Sequence, residues 1–365
     1  MEKTHPKPTI LDVAADAQVA VGTVSRVLNT PNAVGPKIRK RVQESIDRLN
    51  YRPLRRRQKP SSSNGQSMRR RNNIGVILLG MDDSLAHLPV ISEAIHGVEL
   101  AVTSVNVNLM LSNIPDAQRI PAFLERNQVD GLIIKSPLLG DLRTCASSAL
   151  LEKIERLPHV WLLGRPEGAK GDLVGCDNNA GGRMAAEYLH RKGHQRVAFM
   201  HPRAGQTRAE NLKASFTAVA TRLGMTVQMF EKNIEGEVHW PLPAITRPTD
   251  VLPLLEALLA LPKSKRPTAV LTPADSIAVQ IYAAMQQKGL RVGEDLSILS
   301  FNHERPLVLG LSPALTTIDV RAEAIGRRAV DQIRWRLDHP IDDIPTRILV
   351  EPRLVEGASV LSLSS

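Results

Sequence analysis

Residues 9–29 read TILDVAADAQVAVGTVSRVLN and contain two short helical patterns joined by a tight turn. The apolar positions are Ile10, Val13, Ala14 and Ala17 in the first pattern, and Val21, Val24, Val27 and Leu28 in the second. No more than four residues, Gln18 to Val21, separate the two patterns. A connection this short predicts a helix-turn-helix, whose second helix can enter the major groove of DNA.

The outward face of the second helix is suited to contact with base edges. It presents small or hydrogen-bonding side chains and one arginine, namely Gly22, Thr23, Ser25, Arg26 and Asn29. A third helical pattern runs from Pro36 to about Leu49, and four cations crowd its start. Because these cations oppose the positive end of the helix dipole, we expect phosphate groups to offset them.

The positive charge of the chain is concentrated at its N-terminal end. Of the net charge of +10, residues 1–73 contribute +11, with 16 Lys/Arg and 5 Asp/Glu, and residues 74–365 contribute −1. This distribution predicts a polyanionic partner, and a solubilising basic tail is the alternative. Residues 52–73 carry seven arginines and almost no apolar side chains, which predicts a linker rather than a folded element.

From Ile74 onwards, short apolar runs alternate with amphipathic helical patterns. The runs at 74–80 (IGVILLG) and 130–135 (DGLIIK) are typical of buried strands, and residues 89–103 and 209–223 have helical spacing. Such alternation predicts parallel sheets covered by helices on both faces, and its length predicts two similar α/β lobes. Ligands of these folds bind at the carboxyl ends of strands, so two facing lobes would form a binding cleft.

Other features of the sequence disfavour several classes of protein. The two cysteines, Cys145 and Cys176, have no metal-ligand spacing and do not indicate a disulfide scaffold. The N-terminal MEKTHPKP lacks the apolar core of a signal peptide, and no apolar run approaches the ~18 residues of a membrane span. The sequence contains no phosphate-binding loop, zinc-protease or nucleophile-elbow motif. We therefore expect a cytoplasmic protein that is not an enzyme and has no cofactor, metal or membrane partner.

Longer motifs, in a fixed order, resemble one family. They are Thr9-Ile10, Asp12-Val13-Ala14, TVSRVLN at 23–29, RKRVQESIDRLNYRP at 39–53, VDGLII at 129–134, DNNAGGRMAAEYLHRKGHQRVAF at 177–199, PTAVLTPAD at 267–275, GLRVGEDLSILSF at 289–301 and LTTIDV at 315–320. Over nearly its whole length the chain resembles the lac-repressor/gal-repressor (LacI/GalR) family of transcription regulators.

The resemblance implies an all-α helix-turn-helix headpiece followed by a two-lobed α/β domain of parallel sheets, like a periplasmic binding protein. The expected boundaries are 1–51 for the headpiece, 52–73 for an Arg/Ser-rich hinge linker, 74–356 for the effector-binding and dimerisation domain, and 357–365 for a tail. Within that domain, one lobe is expected at about 74–174 and 322–348, and the other at about 175–321 and 349–356.

The resemblance also implies a function. A homodimer would bind a near-palindromic double-stranded DNA operator, and we expect it to repress and to associate with the nucleoid when bound. A small carbohydrate-like effector in the interlobe cleft would change the headpiece spacing and so the operator affinity. The main alternative is a DNA-binding regulator that has lost effector gating. An α/β enzyme is a further rival on the fold alone. A free-standing sugar-binding protein is another, which the helix-turn-helix and the missing export signal disfavour.

The family resemblance also implies which residues contact DNA. The two positions that read bases in the family are Val21 and Gly22, and neither side chain can hydrogen-bond a base. Arg26 is therefore expected to read a base directly, with a phosphate-facing or solvated arginine as the alternative. The expected phosphate contacts are Thr23, Ser25 and Asn29.

The chain departs from the family pattern in the turn and in the hinge. Gln18 replaces the turn glycine, and Ala20 replaces the serine that caps the recognition helix. Only Tyr51 and Pro53 of the hinge pattern remain, so a leucine wedge in the minor groove is not expected. We expect Arg55, Arg56 and Arg57 to replace it with electrostatic contacts to phosphates.

The effector site is expected between the lobes. Its candidate residues are Asp82, His87, Arg165, Arg208, Trp240, Asp275 and Asn302. Leu212 stands where many relatives have a sugar-binding arginine, and Asn302 stands where an aspartate is expected. Two candidates have structural alternatives, because Asp275 could cap a helix and Trp240 could belong to the core.

Overall fold

The computed structural model describes residues 8–29, 34–49, 51, 72–81, 89–233, 236–242 and 250–363, with Asn29 described by its backbone alone. The chain divides into two compact units, Met1–Ser67 and Met68–Ser365.

The first unit is a small bundle of three helices, α1 (Ile10–Asp16), α2 (Val21–Asn29) and α3 (Pro36–Arg48). Its core consists of small and β-branched side chains, namely Val13, Ala14, Ala17, Val24, Val27, Val42 and Ile46. Asp16 ties α1 to α3, because its carboxylate accepts a hydrogen bond from buried Ser45 and pairs with Arg48 at 3.0 Å. The predicted helix-turn-helix is therefore present and rests on the third helix.

Both ends of α1 depart from the simplest helical geometry. At its start, the Thr9 backbone N–H and hydroxyl both donate to the Asp12 carboxylate, at 2.7 and 2.8 Å. These hydrogen bonds lower the pKa of Asp12. Beyond its end, Gln18 has the left-handed φ of 51° that the family's glycine would adopt without strain.

The second unit contains two six-stranded sheets. The first has the order β11-β5-β4-β3-β1-β2, and all of its pairings are parallel. Its strands are β1 (Asn73–Leu79), β2 (Asn108–Ile114), β3 (Gly131–Lys135), β4 (His159–Leu162), β5 (Asp172–Cys176) and β11 (Arg347–Val350). The helices of this first lobe are α4 (Pro89–Ser104), α5 (Ala122–Glu125), α6 (Leu142–Cys145), α7 (Ser148–Glu155) and α13 (Ala322–Asp338).

The second sheet has the order β12-β10-β9-β8-β6-β7 and is parallel except for its edge strand β12. Its strands are β6 (Arg196–Ala204), β7 (Thr226–Asn233), β8 (Ala269–Leu271), β9 (Ser297–Asn302), β10 (Thr316–Asp319) and β12 (Arg353–Val355). The helices of this second lobe are α8 (Asn178–Arg191), α9 (Thr207–Arg222), α10 (Leu252–Leu259), α11 (Asp275–Gln287) and α12 (Arg305–Val308). The predicted fold class, a helical headpiece with two parallel-sheet lobes, is confirmed.

The chain passes between the two sheets three times. It does so between β5 and α8, between β10 and α13, and between β11 and β12. β5 extends to Cys176 and β11 to Val350, so the first and third passages lie about two residues later than the expected boundaries.

The segment expected as a tail is part of the second lobe. The Ser359 carbonyl accepts a hydrogen bond from the Ile298 N–H at 2.9 Å, and Val360 is buried. The Leu363 N–H donates to the Lys192 carbonyl at 2.8 Å. The tail expectation is therefore wrong up to Leu363, because these residues form hydrogen bonds and contribute apolar surface to the core.

One buried carboxylate joins α13 to the first sheet. Asp172, at the start of β5, accepts hydrogen bonds from Gln332 at 2.7 Å and from Arg336 at 2.6 and 3.0 Å. It also accepts from the Thr346 N–H at 2.9 Å. The hydrogen bonds from Arg336, Gln332 and Thr346 outweigh the burial of the carboxyl, so the pKa of Asp172 is lowered. This cluster fixes a C-terminal helix against strands from the N-terminal half.

Candidate functional site

The recognition helix α2 presents one face to solvent. Val24 and Val27 are buried in the headpiece core, whereas Val21, Gly22 and Arg26 are exposed. Thr23 and Ser25 are half-buried beside this face, and the side chain of Asn29 lies outside the described residues. The predicted base-contact positions thus lie on the exposed face, and the two described phosphate-contact positions border it.

The start of α2 has no capping side chain at Ala20. The Ala20 carbonyl accepts hydrogen bonds from Thr23 at 2.8 Å and Val24 at 3.3 Å, but its methyl group cannot accept one from the first helical N–H groups. An anionic phosphate at this end would supply the missing acceptor, since the first N–H groups of a helix bind anions readily.

The carboxyl ends of both sheets face a polar region between the two lobes. Leu138, just beyond β3, accepts a hydrogen bond through its carbonyl from the Thr207 N–H at the start of α9, at 3.3 Å. This contact joins the first lobe to the second. It brings the end of β3 next to the first turn of α9, which carries Arg208.

Arg208 and Asn302 are both predicted site residues, and the structure brings them together. The Arg208 Nη1 donates to the Asn302 Oδ1 at 2.6 Å, and its Nη2 lies 3.5 Å from the Pro273 carbonyl. Burial lowers the pKa of Arg208, and Cys176, Glu304 and Asp275 nearby partly restore it. The guanidinium thus stands at the carboxyl end of β9.

Asp275 lies beside them but is engaged in supporting the cleft. Its Oδ2 accepts from the Glu304 N–H at 2.6 Å, and its Oδ1 accepts from the Thr317 hydroxyl at 2.7 Å. Burial and the neighbouring Glu304 carboxylate raise the pKa of Asp275 to about 6. Asp275 therefore connects the start of α11 to Glu304, just before α12, and to β10. Neither of these hydrogen bonds caps its own helix.

The loop after β9 shows backbone strain and unsatisfied polar atoms. Asn302 and His303 have φ values of 114° and 60°, which are uncommon for residues with side chains. Within the described ranges, three buried polar atoms at the ends of β8 and β9 have no hydrogen-bond partner, namely Thr272 Oγ1, His303 Nδ1 and Glu304 Oε2. Buried polar atoms are usually paired, so these indicate a place for a polar ligand or water.

Trp240 is placed differently from a ring that is free to stack on a ligand. Its segment follows β7 of the second lobe, yet its Nε1 donates to the Leu139 carbonyl of the first lobe at 3.0 Å. The ring is 8% exposed and belongs to the apolar cluster of the first lobe. The Cys145 thiol donates to the Val238 carbonyl at 3.3 Å, which anchors the same segment. The core alternative therefore describes the observed position of Trp240.

The remaining predicted residues do not join this group. Arg165 does not point into the cleft, contrary to the expectation. Its guanidinium donates to the Gly171 carbonyl at 2.6 Å, just before β5, and lies near Arg347 at the start of β11. That is the amino end of the first sheet, away from the cleft. Asp82, His87, Arg55, Arg56 and Arg57 lie outside the described residues.

Lys135 is a further candidate site residue that the sequence reasoning missed. It ends β3, is 8% exposed, and donates a hydrogen bond to the adjacent Ser136 carbonyl. Burial and the neighbouring Arg208 lower its pKa to about 7. The signal was visible in GLIIK, where a charged residue ends an apolar strand at a sheet edge that binds ligands.

Comparison with known proteins accounts for both units. Residues 9–53 match the family of bacterial regulatory proteins of the lacI type, and residues 186–360 match a periplasmic binding protein-like domain. The chain carries a lacI-family DNA-binding domain together with a periplasmic binding protein-like domain. It is 29% identical to the ribose operon repressor of Haemophilus influenzae over 360 residues, covering 97% of this chain and 99% of the relative.

Solved structures show the same fold. A complex of the transcriptional regulator CelR with cellobiose aligns with a TM-score of 0.59 at 22% identity, over 96% of this chain and 99% of the other. The lac repressor dimer bound to operator and an anti-inducer aligns with a TM-score of 0.58 at 24% identity, over 98% and 100%.

Membrane-spanning helices and metal clusters are both absent from the described residues. No helix among them is long and apolar enough to cross a membrane. In the same ranges, no group of three or more His, Cys, Asp or Glu side chains could hold a metal ion.

Leu212 stands where the family resemblance places a sugar-binding arginine. Its side chain is 1% exposed and packs in the core.

Proposed function

We propose that this protein is a sequence-specific DNA-binding transcriptional regulator that represses, and whose operator affinity responds to a small carbohydrate-like effector. The observation that carries the proposal is the presence, in one lacI-family chain, of an exposed recognition face on α2 and a polar interlobe cleft. The proposal assigns the chain no enzymatic activity and no cofactor. As a regulator it acts in the cytoplasm, on the nucleoid.

The DNA-binding step uses two headpieces. A homodimer presents two α2 helices to half-sites one helical turn apart, about 34–36 Å, and therefore favours a near-palindromic operator. Arg26 contacts a base edge and Val21 and Gly22 lie against the groove, while Thr23, Ser25 and Asn29 contact phosphates. Arg55, Arg56 and Arg57 add electrostatic affinity.

The effector step uses the cleft. The relative from H. influenzae is named for ribose, and CelR was solved with cellobiose, which supports a carbohydrate-like compound here. Arg208 and Asn302 provide donors and acceptors at the cleft, and the unpaired Thr272 and His303 atoms provide more. Ligand binding between lobes changes their relative rotation, so it changes the separation of two half-sites that a dimer can reach.

A regulator that has lost effector gating is the second candidate. The observation that favours it is the position of Trp240, which fills space against the first lobe and hydrogen-bonds Leu139. Leu212 adds to it, because a buried leucine replaces the family's sugar-binding arginine.

The DNA proposal is tested by selecting sites from a random duplex pool with the full chain. We expect a near-palindromic site, and Arg26→Ala should lower the preference for it over random DNA by about 10–100-fold. Arg156→Ala, which removes an exposed arginine of the second unit, is the control and should leave this preference unchanged. Failure to enrich any site would contradict the proposal.

The gating proposal is tested with the selected operator. Operator affinity is measured with and without a panel of pentoses, hexoses, disaccharides and their acidic derivatives. A shift for one compound supports gating, since ligand and operator must affect each other's binding reciprocally. Operator binding that no compound alters would favour the ungated regulator.

A further inference from the structure

The most unusual charge in the cleft is the Lys135 ammonium group. It is 8% exposed at the end of β3, and its hydrogen bond to the Ser136 carbonyl is directed to its own backbone. In the described part of the chain, no carboxylate forms an ion pair with it. A buried ammonium group without a counter-ion among the described residues is costly, and buried groups whose pKa is strongly shifted in this way occur preferentially at functional sites.

A second cation faces Lys135 from the other lobe. The first turn of α9 meets the loop after β3 through the hydrogen bond from Thr207 to Leu138, and Arg208 is the next residue. Gly205 lies against Leu139 of the same loop, since a Cβ at Gly205 would be 3.3 Å from its Cδ1. The positive charge of Arg208 lowers the pKa of Lys135, in agreement with these backbone contacts. The contacts between the two segments bring the two cations towards each other from opposite lobes.

Of the two carboxylates in the cleft, Asp275 is directed towards other groups, whereas Glu304 Oε2 has no hydrogen-bond partner within the described residues. Both oxygens of Asp275 accept hydrogen bonds from Glu304 and Thr317. Asp275 and Glu304 lie near Arg208 but form no ion pair with it, or with Lys135, within the described ranges. His201 is also surrounded by positive charge. Its burial and the neighbouring cations Arg208, Lys213 and Arg203 lower its pKa to about 4.

We propose that the effector carries an acidic group, a carboxylate or a phosphate ester, which binds between Lys135 and Arg208. This inference rests on the proposed effector cleft and specifies the chemistry of its ligand. The acidic group would neutralise Lys135, and Arg208 would provide a second donor from the opposite lobe. One anion would thus hold the two lobes together, which links its binding directly to lobe closure.

The first test uses inorganic phosphate as the probe and thermal unfolding of the full chain as the readout. Phosphate is compared with chloride at equal ionic strength and pH 7. We expect phosphate to raise the melting temperature of the second unit by about 2–4 °C at saturation. The Lys135→Met variant should melt at a higher temperature than the natural chain in chloride, because it removes a buried charge, and should lose the response to phosphate.

A matched variant separates the site from general salt effects. Lys263→Met makes the same change at an exposed lysine in the loop before β8 and should keep the full response. An equal phosphate response in Lys135→Met and the natural chain would overturn the proposal. A Lys135→Met chain that melts lower than the natural chain in chloride would also count against it, since Lys135 would then stabilise the fold without a ligand.

The second test identifies the source of the acidic group. Matched pairs are titrated by calorimetry: ribose with ribose 5-phosphate, and glucose with gluconate and glucose 6-phosphate. We expect an acidic member to bind at least tenfold more tightly than its neutral partner, and this difference to vanish in Lys135→Met. Binding of the neutral member alone would overturn the acidic effector while leaving the regulator proposal intact. Loss of site selection in the DNA assay would instead contradict the regulator itself.

Discussion

Gly80 lies against the ring of Trp240, so that a Cβ at Gly80 would be 2.7 Å from the ring atom Cδ2. Gly80 follows β1 of the first lobe, whereas the Trp240 segment follows β7 of the second. The absence of a side chain at position 80 is what allows the indole to cross between lobes. Met81 and Leu242 form an isolated bridge beside it, so the contact continues along both segments.

Gly80→Ala should therefore displace Trp240. The alanine must adopt a φ of +61° and overlap the indole, and we expect a loss of more than about 2 kcal/mol with a red shift in tryptophan emission. Gly168→Ala is the matched control, because it has a φ of +72° and nothing within 4 Å of its Cβ. Equal losses of stability in the two variants would mean that backbone strain alone is responsible.

Asp172→Ala should be among the most destabilising substitutions in the second unit. It removes the carboxylate that accepts two hydrogen bonds from Arg336, whose side chain is 12% exposed, and leaves this guanidinium with the more distant Asp342 carboxylate, at 3.5 Å, as its ion-pair partner. We expect a loss of about 3–5 kcal/mol in chemical denaturation. Asp331→Ala breaks the exposed pair with Arg328 at 3.2 Å and should cost at most about 1 kcal/mol. Similar costs for both would contradict the role assigned to the buried cluster.

His201 should make the second unit less stable in mild acid. Its pKa is about 4 in the folded protein, below its ordinary value of ~6.5, because burial and neighbouring cations disfavour the imidazolium. The unfolded chain therefore binds more protons below pH 6.5, so stability is lost as the pH falls from there towards 4. Between pH 7 and 5 this loss is about 2 kcal/mol. His201→Gln should reduce the pH dependence of the unfolding free energy by that amount, and an unchanged slope would exclude His201 as its source.

Gln18→Gly should stabilise the headpiece. The φ of 51° strains a glutamine but not a glycine, and we expect a gain of about 0.5–1 kcal/mol after the entropy of the unfolded glycine is subtracted. Hydrogen exchange of the α1 and α2 amides in the full chain measures the change. Gln18→Ala shortens the side chain but keeps the strained backbone, so it should give no gain. A comparable gain from alanine would assign the effect to the side chain.

Replacing Arg55, Arg56 and Arg57 with alanine should weaken operator binding and its salt dependence together. Each phosphate contact contributes about 0.9 to the slope of log affinity against log salt, so the slope should fall by roughly 2–3. The expectation comes from the sequence, since these residues lie outside the described ranges. Operator affinity is measured at salt concentrations from about 50 to 200 mM, over which the affinity of DNA-binding proteins falls steeply. An unchanged slope would mean that the arginine run does not contact DNA.

The fold was predictable from the sequence where one apolar pattern decides one element. IGVILLG and GLIIK have too few polar positions to be surface helices, and both form buried strands. Helix α13 is harder to predict as a core helix, because seven of its seventeen residues are charged. Its buried stripe includes Gly326, which is small because the Ala94 carbonyl of α4 lies directly against it.

The site was predictable only in part. Asn302 and Asp275 could be selected because they occupy positions that the family resemblance assigns to the effector site. Contacts across the fold are not visible: Arg208 and Asn302 are 94 residues apart. The burial of Lys135 runs against the usual exposure of lysine. The Trp240 segment reaches the other lobe only because Gly80 has no side chain to clash with the indole. This contact between distant residues cannot be predicted from the sequence around either of them.

The three passages between the sheets have a consequence for biosynthesis. The first lobe needs α13 and β11, which lie within residues 322–350, and the second lobe needs β12 and the residues up to Leu363. Neither lobe can therefore be completed while the ribosome still holds the C-terminal segment. The headpiece is local in sequence and can fold first, so a stalled or truncated product would carry a DNA-binding module without its regulatory partner.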